Sequence, residues 1–82
     1  MNQSISTIFY QTTDLALATT ITLSYPLDSI DRTIPSKSQF IFKREAGLDE
    51  LIEQYWRGEL RVDPKRYFEQ IRMLKSRLYE DR

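Results

Sequence analysis

Nucleophilic or acid–base chemistry in this 82-residue chain would have to run on carboxylates, lysines, tyrosines and hydroxyls, because it contains no histidine and no cysteine. The histidine triad, thiol catalysis and imidazole or thiolate metal sites are therefore excluded. The only glycines, Gly47 and Gly58, stand alone, so no glycine-rich loop can cradle a phosphate. Asp28 and Asp31 lie three apart in a turn-rich segment and, with Asp14 as a third carboxylate, could gather round a hard cation. Aspartates in such positions more often cap helices and solvate turns. The expectation is therefore a non-enzymatic protein with no metal site and no cofactor.

Charge placement is more informative than charge total. Lys plus Arg equals Asp plus Glu at 12 each, which excludes a simple polycation coating DNA or a membrane. Between Arg61 and Arg77, however, six basic residues (Arg61, Lys65, Arg66, Arg72, Lys75, Arg77) face two acidic ones, whereas Asp49 to Glu59 is acidic. On a helical wheel Lys65 and Arg72 fall on one flank of an apolar stripe, Arg66 and Arg77 on the other, and Lys75 close to the stripe. One reading is a nucleic-acid surface, with these six on phosphates, helped by Lys43, Arg44 and an exposed aromatic such as Tyr79 or Trp56. The simpler reading is the solvated face of a long amphipathic helix, in which Lys65 and Glu69 form an i,i+4 pair. Trp56 at the edge of a helix, Met73 opposite the apolar stripe and Tyr79 are candidates for a protein interface. Lys37-Ser38-Gln39-Phe40-Ile41-Phe42 faintly resembles the base-stacking strand of RNA-recognition domains, but Phe40 and Phe42 are better placed as core.

The elements that must position these residues follow from spacing and punctuation. A polar tail over residues 1–6 precedes a strand of about residues 7–12, carrying Ile8, Phe9 and Tyr10. Thr12-Thr13-Asp14 then supplies helix-start acceptors, with Thr13 the preferred cap and Asp14 placed for the dipole. Helix from Asp14 to about Ser24 is expected, although Ile21, Leu23 and Tyr25 also alternate like a strand. A short strand near Ile30 to Thr33 is an open question. Gln39 to Lys43 is the clearest strand, with Phe40 and Phe42 on one face.

Leu48, Leu51, Ile52 and Tyr55 mark an amphipathic helix with Asp49 and Glu50 in its first turn, a Glu53–Arg57 pair, and Gly58 as a left-handed cap. After an extended link through Leu60 and Val62, Asp63-Pro64 reads as a cap and a first helical proline. Tyr67, Phe68, Ile71, Leu74 and Leu78 then form one stripe of a helix of about sixteen residues. The fold class is α+β, in the order β-α-(β)-β-α-α, with a sheet of two or three strands and three helices in a single domain over residues 7–80.

The blocks Phe9-Tyr10-Gln11-Thr12-Thr13-Asp14-Leu15-Ala16-Leu17-Ala18, Phe40-Ile41-Phe42, Tyr55-Trp56-Arg57-Gly58-Glu59-Leu60-Arg61-Val62-Asp63-Pro64 and Leu74-Lys75-Ser76-Arg77-Leu78-Tyr79, taken with their spacing, resemble a family of small prokaryotic proteins classed as a domain of unknown function. The resemblance implies one domain over about residues 9–79 and carries no activity, cofactor or site residue with it. Met1 to Thr7 lacks the basic start and apolar stretch of a signal peptide, and no apolar run reaches the ~20 residues needed to span a bilayer. The cytoplasm is the expected compartment. The functional expectation is a binding or accessory module acting through a protein partner or a second copy of itself, with RNA or DNA as the alternative partner and no membrane.

Overall fold

The computed structural model describes residues 8–80; the polar tail expected over residues 1–6 lies outside them. Strand β1 (Phe9–Thr12) leads into helix α1 (Leu15–Thr22), strand β2 (Ser29–Asp31), a 3-10 turn (Pro35–Lys37), strand β3 (Gln39–Lys43), helix α2 (Leu48–Trp56) and helix α3 (Pro64–Glu80). The sheet has the order β1-β3-β2 and both pairings are antiparallel. The open question about a middle strand resolves in favour of one, at 29–31 rather than 30–33. Ile30 lies opposite Phe40 there, while Asp31 accepts hydrogen bonds from the Thr33 amide and hydroxyl that turn the chain away.

Residues opposite one another across strands share a face. Tyr10 opposes Phe42, and Thr12 and Ile30 both oppose Phe40, so these five lie on the face that carries the core. Phe40 and Phe42 are buried among Leu17, Ala18, Ile21, Leu48 and Leu74. This settles them as core and removes the stacking-platform alternative.

Helix α1 is enclosed rather than amphipathic. Five consecutive residues, Leu17 to Ile21, are buried, two of them threonines. The hydroxyls of Thr19 and Thr20 donate to the Leu15 and Ala16 carbonyls, at 2.7 and 2.9 Å, which removes the penalty of burying them. The strand-like alternation of Ile21, Leu23 and Tyr25 is overridden. The helix cap is Asp14 and not Thr13: the Asp14 carboxylate accepts from the Leu17 amide at 3.1 Å, while Thr12 Oγ1 accepts from the Asp14 amide. Thr13 is exposed and lies one residue too early to reach that amide.

Helices α2 and α3 both pack against α1. Gly58 ends α2 at φ 72°, with its own amide bonded to the Tyr55 carbonyl and the next amide, Glu59, bonded to Gln54. Asp63 starts α3: its carboxylate accepts from the Lys65 amide at 3.2 Å and its carbonyl from the Tyr67 amide at 2.9 Å. Pro64 occupies the first helical position, where its missing amide removes nothing. No helix among the described residues is long and apolar enough to cross a membrane.

Candidate functional site

At 3.6 residues per turn, successive side chains on α3 are separated by about 100°. Leu74 is fully buried, and Tyr67, Gln70, Ile71, Met73 and Leu78 are half-buried around it. The buried arc therefore runs from Met73 to Ile71, rotated away from Phe68. Two expectations are corrected. Met73 is not exposed opposite the stripe but packs against the core, and Phe68 does not belong to the stripe and stands 59% exposed. The eight-residue α1 beneath is too short and narrow to cover the whole apolar arc of α3.

The rotation turns Phe68 towards solvent along with the basic side chains of the outer face. Phe68, Arg72, Lys75 and Tyr79 follow one another at i, i+4, i+7 and i+11 and are all exposed, as is Lys65 beside them. The Arg72 guanidinium lies 5.6 Å from the centroid of the Phe68 ring, within range of a cation–π contact. Tyr79 is 57% exposed at the far end. Lys65, Arg72 and Lys75 make no ion pair among the described residues, and the expected Lys65–Glu69 bridge is not formed.

The six basic residues do not form one surface. Arg61 and Arg66 line a groove of about 200 Å³ on the opposite flank, beside the C-terminal end of α1. There the Arg66 guanidinium donates to the Leu23 carbonyl at 3.3 Å, a helix-end group otherwise without an intrahelical partner. Arg77 is exposed on the same flank, and its carbonyl accepts from the Arg32 guanidinium at 2.6 Å. Of the two strand-end helpers, Lys43 is exposed. Arg44 is engaged structurally, pairing with Asp49 and lying 5.4 Å from the centroid of the Tyr10 ring.

Acidic residues are placed differently. Glu53 and Glu59 both pair with Arg57 at 3.1 Å, so the expected Glu53–Arg57 bridge is present, and Asp49 pairs with Arg44. Three of the acidic side chains in and beside α2 are thus paired with flanking arginines, whereas Lys65, Arg72 and Lys75 on α3 have no ion pair among the described residues. Asp14 is used as a cap, Asp28 accepts from the Ser29 hydroxyl at 3.1 Å and Asp31 from Thr33. The Thr33 hydroxyl, and then its amide, hold the Asp31 carboxyl below its ordinary value. No group of three or more potential metal ligands occurs among the described residues.

Trp56 stands 63% exposed at the end of α2, its ring edge-on to Tyr55 at 5.0 Å and 81°. Next to that helix end, a groove of about 340 Å³ is lined by Tyr55, Leu60, Val62 and Tyr67 among others. Burial raises the pKa of Tyr55, with Asp14 and Tyr67 adding to the shift. The groove was not legible in the sequence, because it arises from the extended link standing off α1 between two helix caps. Its only sequence signal is the pair Leu60 and Val62 between Gly58 and Asp63.

These features define a small α+β domain that offers an aromatic–basic helix face, an exposed tryptophan and shallow grooves. The chain belongs to the DUF5659 family, a domain of unknown function, whose family model matches residues 8–80. The resemblance carried by the four sequence blocks is thereby borne out. No curated protein and no solved structure matches the chain.

Proposed function

We propose that this protein is a small non-enzymatic binding module of a prokaryotic cytoplasm, working by surface contact with a protein partner or a second copy of itself. The observation that carries the reading is Trp56, a large side chain left 63% exposed at a capped helix end. Tryptophan buries a large area at low entropic cost and is enriched at interface hot spots. Val62, 42% exposed on the adjoining link, extends the apolar surface near that helix end.

A photo-crosslinking residue placed at position 62, on the adjoining link and with Trp56 retained, tests this in cells. One recurrent adduct is expected, and it is lost when unlabelled wild type competes but retained when Trp56→Ala competes. The adduct is the chain itself in the self-associating form. Absence of a recurrent adduct at 62 removes the reading.

A second reading, a nucleic-acid-binding accessory factor, is favoured by one observation. Lys65, Arg72 and Lys75 share the outer face of α3 without an ion pair among the described residues. Cations left in this way suit a phosphate backbone. Arg61, Arg66 and Arg77 lie on the other flank and contribute less to that reading.

A further inference from the structure

We propose that the outer face of α3 binds single-stranded nucleic acid, with Phe68 and Tyr79 as stacking side chains and Lys65, Arg72 and Lys75 on the phosphates. The inference rests on the second reading above and narrows it to one strand form and one face.

Three observations carry it. First, Lys65, Arg72 and Lys75 form no ion pair among the described residues, whereas Asp49, Glu53 and Glu59, in and beside helix α2, are paired with Arg44 and Arg57. Second, two cations lie between two aromatics along one line, Phe68, Arg72, Lys75, Tyr79, over about 17 Å of helix at 1.5 Å per residue. A duplex needs only the cations, because its bases are already stacked on one another. Exposed rings gain a partner only when bases are unstacked. Third, Phe68 is kept ready. It is 59% exposed in the second turn of the helix, and the Arg72 guanidinium lies over its ring, which sets a cation beside any base stacked there and within reach of that base's phosphate. A neutral protein has no long-range pull on a polyanion, so this ridge works at short range and gives modest affinity.

The experiment is fluorescence anisotropy of labelled single-stranded RNA, single-stranded DNA and duplex DNA of equal length, at low and near-physiological salt, with polyglutamate as competitor. Single strands are expected to bind more tightly than duplex. Log K should fall with log salt at a slope of about −2, three contacts at ~0.7 each. Lys75→Gln should reduce that slope by about 0.7. Phe68→Ala should weaken binding about 5- to 100-fold and leave the slope unchanged. Phe68→Leu keeps the apolar bulk and lacks the ring, so it should not rescue. Phe68 is outside the core, so both variants fold, which circular dichroism verifies. Arg66→Gln and Arg77→Gln, on the other flank, should change little.

Equal binding of duplex and single strand, with Phe68→Ala unaffected, overturns the inference and leaves a phosphate-binding protein. No binding of any nucleic acid at low salt overturns both. Displacement by polyglutamate at equal charge concentration also overturns the inference and identifies the face as a site for an acidic protein surface.

Discussion

Gly47 shows how much a single residue can decide. It sits at φ 88°, and a Cβ there would come within 2.7 Å of the Tyr25 hydroxyl, which itself donates to the Ala46 carbonyl. Gly47→Ala therefore carries two penalties, about 1–2 kcal/mol for the left-handed backbone and a further displacement of Tyr25. Gly58, at φ 72° with open space around it, carries the first alone. In urea denaturation Gly47→Ala should be the more damaging of the two, and its excess cost should vanish in a Tyr25→Phe background, where the hydroxyl is gone. The sequence marked Gly58 as a cap but offered no such sign at Gly47, because the cause is a side chain 22 positions earlier in the chain. Phe68 is the same lesson at the surface. Its type and period both say core, and only the width of what lies beneath excludes it. Asp31 gives a residue-scale pH effect. Its folded pKa is depressed, so its contribution is present above the ordinary carboxylate range and is lost as pH falls through the folded value. Asp31→Asn should flatten that part of an acid-unfolding curve followed by circular dichroism.

The elements stand or fall by their ends and by one buried stripe each. Asp14 supplies the side-chain cap for a helix of only eight residues, and Asp14→Ala should cost about 1 kcal/mol in chemical denaturation. Leu74, fully buried where α3 meets the core, should cost about 2–5 kcal/mol as alanine, enough to unfold a marginal domain. Strand β3 and helices α2 and α3 were legible because period and punctuation agree in each. Gln39 to Lys43 alternates between turn residues, and Asp63-Pro64 opens a long stripe. Helix α1 was legible only in part. Enclosure by the sheet and by two helices erases the polar face that periodicity looks for, and threonines replace the expected aliphatics by bonding to their own helix. The split of the basic residues was legible, because the helical wheel already separates Lys65 and Arg72 from Arg66 and Arg77, as the structure does. What the sequence did not show is that the rotation of the buried arc brings Phe68 into line with Arg72 and Lys75.

For the molecule as a whole, the absence of histidine and cysteine leaves no side-chain type that ordinarily titrates between about pH 5 and 9. The unfolding midpoint should be nearly constant across that range in a pH series of thermal melts. It should fall on the alkaline side. Burial raises the pKa of Tyr10, against the opposing pull of Arg44, and that of Tyr55, so above about pH 10 the unfolded chain ionises before the folded one. The central position of α1 has a different consequence. Eight residues are too few to persist as an isolated helix in water, where roughly 12–15 are marginal. Helix α1 therefore exists only while strand β3, at one distance along the chain, and α3, at another some fifty residues away, are docked on it. It cannot open by itself without exposing the centre of the molecule. In native-state hydrogen exchange its amides should leave only through whole-molecule unfolding, with one shared opening free energy, while the outer turns of α3 exchange by local fraying.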